Sequence, residues 1–69
     1  MELSKTIKER RSSLKISQAD LAEMAGVSLA TVKDIERGKG NPSILTLEKL
    51  LDVLGLELVF RLRQTIQIS

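Results

Sequence analysis

A glycine at position 26, set between two stretches of helical spacing, limits the folds open to this chain more than any other residue. The stretch from Ser17 to Arg37 reads SQADLAEMAGVSLATVKDIER. Ser17 can accept hydrogen bonds from the backbone amides of the turn it opens, and Asp20 stands three residues on, as in a capping box whose acid is one carbon shorter. Leu21, Ala22 and Ala25 recur at helical spacing until Gly26, which takes positive φ without steric cost, stops the helix and turns the chain. Val27 and Ser28 follow at once. Ser28 is a second N-cap, and Val32 and Ile35 lie three apart on one face of a second helix that ends near Gly38.

Two short helices about a tight glycine turn make a helix-turn-helix, and the remaining segments read as its support. Residues 3 to 14, LSKTIKERRSSL, carry Leu3, Ile7 and Leu14 at helical spacing between charges, an amphipathic first helix. Ser43 caps a further helix with Ile44, Leu47, Leu50, Leu51 and Leu54 on a wide apolar face, and Gly55 ends it. After Gly55 the period changes to that of a strand with one buried face: Leu56, Leu58, Phe60 and Leu62 alternate with Glu57, Val59, Arg61 and Arg63. Every other element is helical, so this strand pairs either with Thr65 to Ile68 in a hairpin or with the same strand of a second chain. Residues 63 to 65 hold no Gly, Asn or Asp for a tight turn, which disfavours the hairpin. The expectation is an antiparallel, isologous pairing of Leu56 to Leu62 between two copies, with Gln64 to Ser69 either extending that strand or fraying.

Size and composition exclude several classes of function. A chain of 69 residues is expected to be one domain, of a size at which folding buries only about 60% of the unfolded surface. With no cysteine and no histidine there is neither a disulfide nor a thiolate or imidazole site, so dimerisation is the remaining way to add core, and no metal or cofactor is expected. The net charge of +2 and a pI near 9.3 fit a nucleic-acid partner without demanding one. Phe60 is the sole aromatic residue, which argues against stacking platforms for single strands or RNA. The longest apolar run, Leu50 to Phe60, is broken by Asp52 and Glu57 and is too short to span a bilayer, so a cytoplasmic protein is expected. The acids Asp20, Glu23, Asp34 and Glu36 fall on solvated or capping positions and no nucleophile is paired with a base, which points away from an enzyme.

Once the apolar positions are assigned to the core, the outer face of the second motif helix consists of Ser28, Leu29, Ala30, Thr31, Lys33 and Asp34. Small side chains let a helix approach a groove wall. Ser and Thr can bond to base edges or phosphates, Lys33 can reach guanine or phosphate, and Leu29 or Ala30 can meet a thymine methyl. The competing reading of Leu29 is that it staples onto its own neighbours. Gln18 opens the first motif helix beside free backbone N–H groups, a ready anion site, or is simply polar there as first-turn residues often are. Arg37, Gly38, Lys39, Gly40, Asn41 and Pro42 form a loop that is either solvated or applied to a backbone.

The spacing of Leu21, Gly26, Val27, Ser28, Thr31, Val32, Ile35, Glu36 and Gly38, preceded by SQxxLA, resembles the XRE and Cro/C1 family of helix-turn-helix DNA-binding domains over roughly residues 3 to 55. The remainder, GLELVFRLR, is similar to the tail of a smaller group that includes the antitoxins of Hip-type toxin-antitoxin modules. The resemblance implies a mainly α, compact four-helix domain of the λ-repressor type over 3–55, followed by a C-terminal strand and tail over 56–69 that pairs between subunits. It implies that the first motif helix lies across the DNA backbone and the second enters the major groove. It further implies that Ser17, Gln18, Arg37, Lys39, Gly40 and Asn41 meet phosphates, that Gln18 braces a base-reading side chain, and that Arg11 pairs with Glu36 across the fold. Arg10, Lys5 and Lys8 stay solvated or near a phosphate. Lys15 departs from the family, which has glycine there, and in the left-handed conformation would carry strain of order 1 kcal/mol or more.

The function these readings imply is a sequence-specific repressor of double-stranded DNA, a homodimer on an inverted-repeat operator, with no room expected for a ligand pocket or activation domain. It would be associated with the nucleoid when bound. The alternative keeps DNA binding but adds a kinase-like toxin as partner, an antitoxin regulating its own operon. A third reading, a protein-interaction module that leaves DNA alone, predicts DNA affinity without steep salt dependence.

Overall fold

The computed structural model describes residues 3–62 and contains four helices there: α1 (Leu3–Ser13), α2 (Gln18–Ala25), α3 (Leu29–Glu36) and α4 (Ile44–Leu54). α2 packs against α3 and α4, and α1 closes the bundle against the same two helices. One core results, built from Ile7, Leu21, Ala22, Val32, Ile35, Leu50, Leu51 and Leu54, with Ala25 and Val27 packed on its margin. Leu14 and Ile44, expected on the buried faces, are 40% and 55% exposed. Leu14 lies past the end of α1 and Ile44 is the first residue of α4, so both stand beyond the layer that covers Ile7 and Leu50.

The starts and stops of the helices are written locally. Ser17, Ser28 and Ser43 each accept a hydrogen bond from the backbone amide three residues on, at 2.9, 3.1 and 3.1 Å respectively. At Ser17 the box is complete, because the Ser17 amide donates back to Asp20 Oδ2 at 3.1 Å. The backbone amide of Ser17, and after it the Ser17 hydroxyl, hold the Asp20 carboxyl below its ordinary value. A carboxyl whose folded-state pKa is depressed adds stability at pH values above its unfolded pKa and loses it as pH falls through the folded one. The destabilisation caused by Asp20→Asn, read by urea unfolding, is therefore expected to be largest near neutral pH and to shrink as the pH falls below about 4, the ordinary carboxylate value.

All four helices end in one hydrogen-bond pattern, in which a left-handed residue donates to the carbonyl three back and the next residue donates to the carbonyl five back. At α2, Gly26 (φ 72°) donates to Glu23 and Val27 to Ala22; at α4, Gly55 donates to Asp52 and Leu56 to Leu51. At α3, Gly38 donates to Ile35 and Lys39 to Asp34; at α1, Lys15 (φ 60°) donates to Ser12 and Ile16 to Arg11. Lys15 thus adopts the conformation that glycine favours, with strain of order 1 kcal/mol. The second donors Ile16, Val27 and Leu56 pack on the core, whereas Lys39, in the same position after α3, is exposed.

Arg10, expected solvated or near a phosphate, is exposed, and it also donates from Nε to the Leu54 carbonyl at 2.7 Å, which ties the last turn of α1 to the end of α4. A Cβ on Gly55 would stand 3.3 Å from Arg10 Nη2, so glycine there serves both the turn and the close approach of the guanidinium. Residues 56–62, expected as a strand between subunits, form neither helix nor ladder among the described residues. Leu56 and Leu58 are half-buried against the core, while Phe60 and Leu62 are 79% and 97% exposed. The expectations for Arg63 and for Gln64 to Ser69 lie outside the described residues.

Candidate nucleic-acid interface

The position of α3 is set by a charged junction among three helices. Arg11 on α1 sends Nε to Glu36 Oε2 at 2.7 Å and Nη2 to Glu36 Oε1 at 3.1 Å. Its Nη1 donates to the Ile16 carbonyl at 2.8 Å. Gln18, the first residue of α2, donates from Nε2 to the same Glu36 Oε1 at 3.1 Å. The Glu36 side chain is 2% exposed and that of Arg11 14%, yet no buried side-chain N or O among the described residues lacks a partner. The hydrogen bond to Glu36 raises the Arg11 pKa against the opposing pull of burial, so the guanidinium is charged at any accessible pH. Glu36, read from the sequence as solvated or paired, is thus the buried acceptor on which α1, α2 and α3 converge. Gln18, read as exposed at the helix start, is half-buried with one amide hydrogen already committed to Glu36.

With Val32 and Ile35 turned inward, α3 presents Leu29, Ala30 and Lys33 to solvent and Thr31 and Asp34 at half exposure. Ser28 and Thr31 join hydroxyls at 2.8 Å, which holds the first turn in one arrangement. Asp34 forms an ion pair with Arg37, three residues on. The carboxylate expected to read a base is therefore neutralised by a cation of its own helix end. Two shallow clefts flank α3. One is lined by Gln18, Ala30, Lys33, Asp34 and Arg37, and joins the start of α2 to the outward side of α3. The other runs between α3 and the following loop and is lined by Thr31 and Asp34 on one side and Lys39, Gly40 and Asn41 on the other. A Cβ at Gly40 would meet the Asp34 Cβ at 3.6 Å, so the loop runs close along the helix.

The expected site residues are thus brought together around one helix, except that Ser17, Ser28 and Leu29 line neither cleft. Leu29 is 38% exposed at the first position of α3. The Lys39 amide is consumed in closing α3, which leaves its side chain as the group free to meet an anion. Ser43 and Thr46, at the start of α4, also line the second cleft, in addition to the residues expected at the site. Their signal was present, since Ser43 was legible as a cap and Thr46 is the residue a cap contacts. The arrangement has the chemistry of a groove-reading surface: a helix with small and hydroxyl side chains and an exposed lysine, bordered by Arg37 and Lys39 where a phosphate backbone would run.

No helix among the described residues is long and apolar enough to cross a membrane. A family pattern described as helix-turn-helix matches residues 7–60. An immunity repressor protein of Bacillus phage phi105 is 40% identical over 57 residues, which are 83% of this chain and 40% of the repressor. The HTH-type transcriptional regulator PuuR of Escherichia coli K12 is 41% identical over 54 residues, 78% of this chain and 29% of PuuR. An HTH-type transcriptional regulator of Methanothermobacter thermautotrophicus, itself uncharacterized, is 35% identical over 51 residues, 74% of either chain. The chain spans two-fifths or less of the length of the first two of these relatives.

Proposed function

Because the chain belongs to the helix-turn-helix family of the XRE and Cro/C1 type, we propose that it is a non-enzymatic, sequence-specific repressor that binds double-stranded DNA as a homodimer on an inverted-repeat operator. The observation that carries this reading is the outward face of α3, where Ala30 and Lys33 stand exposed between two clefts bordered by Arg37 and Lys39. In this assignment Ser28, Leu29, Ala30, Thr31, Lys33 and Asp34 meet base edges in the major groove. Ser17, Gln18, Arg37, Lys39, Gly40 and Asn41 set the helix on the phosphates. Leu56, Leu58, Phe60 and Leu62 join two copies, and two α3 helices about 34 Å apart then fit successive major grooves on one face of the duplex.

Selection of bound DNA from a random pool, with the mass of the protein in solution measured alongside, tests the whole reading. A palindrome with half-sites about ten base pairs apart and a dimeric mass are expected. Affinity is also expected to fall about a thousandfold or more between 50 and 200 mM salt, as several phosphate contacts require. A flat salt response would instead assign the scaffold to protein partners. The antitoxin reading adds a toxin to the same dimer, and copurification with a larger protein separates it from a repressor acting alone.

A further inference from the structure

We propose that the segment from Leu56 to Leu62 pairs with its copy in one register, with the twofold axis through Val59 and Glu57 set against Arg61 of the partner subunit. The proposal rests on the dimer reading above and goes beyond it by fixing which residues meet. The segment reads LELVFRL and is self-complementary about its midpoint: apolar residues at 56, 58, 60 and 62, opposite charges at 57 and 61. Burial already alternates along its first half, with Leu56 and Leu58 against the core and Glu57 and Val59 exposed. Phe60 and Leu62 continue the buried side of that alternation, yet their own chain leaves them almost bare at 79% and 97% exposure.

An antiparallel pair centred on Val59 places Phe60 of the partner subunit beside Leu58 and the partner's Leu62 beside Leu56. Leu56, Leu58 and the 64% exposed Leu45 line a groove between α4 and the segment, together with the charged residues Glu48, Lys49, Asp52 and Glu57. Each copy's bare half is then covered by the other's body. A slip of one residue sets Leu58 against Arg61 and turns one apolar row outward. Centring on Phe60 instead sets Val59 across from Arg61 and Leu56 across from Gln64. Only the Val59 centre matches every apolar residue of the segment with another and both charges with their opposites.

The chain has no cysteine, so single cysteines report the register without background. Directly opposed residues of an antiparallel pair have Cα atoms about 4.5–5.5 Å apart, within disulfide reach, whereas residues offset by two positions fall beyond about 7 Å. Under mild oxidation of the full chain, Val59→Cys is expected to cross-link to itself nearly completely. Phe60→Cys and Arg61→Cys are expected to stay uncross-linked, and the double variant Glu57→Cys/Arg61→Cys to cross-link. Arg61→Glu is expected to raise the dimer dissociation constant about tenfold by facing like charges twice, with Glu57→Arg in the same chain restoring it. Self-cross-linking of Phe60→Cys, or failure of Val59→Cys to cross-link in a chain whose parent is dimeric by mass, would overturn the register and leave the dimer standing. A monomeric parent would overturn the dimer itself.

Discussion

Replacing Glu36 with alanine is expected to lower the free energy of unfolding by about 3 kcal/mol, read as a fall in the urea midpoint at unchanged slope. The Glu36 side chain is 2% exposed and accepts from Arg11 twice and from Gln18 once. Its removal leaves the Arg11 guanidinium largely out of water with only the Ile16 carbonyl to receive it. An uncompensated cation in such a place costs far more than a surface pair is worth, which is at most about 1 kcal/mol. A domain of 69 residues has roughly 3–10 kcal/mol of stability in all, so this one change approaches the limit of what the fold tolerates. Glu36→Gln keeps the volume and one carbonyl acceptor, and is expected to cost about half as much. The exposed Asp34–Arg37 pair sets the contrast: Arg37→Ala should shift stability by less than about 1 kcal/mol.

The second large effect concerns recognition. The double substitution Thr31→Ala, Lys33→Ala is expected to weaken binding to the selected operator about a hundredfold or more. Binding to nonspecific duplex should change by a few-fold at constant salt, since base contacts contribute about 1–3 kcal/mol each and the loss of one cation removes about one unit of salt slope. Lys33 is exposed and Thr31 half-exposed, so neither truncation removes core and stability should move by less than about 1 kcal/mol. Equal losses on operator and nonspecific DNA would show that these two side chains only position the protein. Lys39→Ala, beyond the end of α3, is expected to lower both affinities together.

The residues that start and stop the helices were legible because their chemistry is local. Ser17, Ser28 and Ser43 each act on an amide three positions away, and Gly26 and Gly55 each act through their own φ. The face of α3 was legible for a related reason: once Val32 and Ile35 are assigned inward by spacing, the residues left facing out follow from helical geometry. The contacts without a local signal depend on distant parts of the chain. Arg10 finds its acceptor 44 residues away and Gln18 finds Glu36 18 residues away, and a long side chain does not announce which carbonyl or carboxylate it will reach. Leu14 and Ile44 carry the spacing of core residues but stand where no second layer covers them. The segment 56–62 was read as a strand from its alternation. That alternation shows in the burial of Leu56 and Leu58, while a ladder requires hydrogen-bond partners that the described residues of the same copy do not supply.

The shared closure at the four helix ends bears on how freely the domain can be re-engineered. Each corner is spelled within six residues, and the corner after α3 draws only on backbone atoms from Asp34 to Lys39 together with Gly38. The lettering on the solvent side of α3 can therefore be rewritten while the frame that aims it stays intact, provided Ser28, Val32, Ile35, Glu36 and Gly38 are kept. On the base-reading role proposed for α3, new operator preferences are open to this scaffold by exchanging a handful of side chains, as a type slug is swapped in a press.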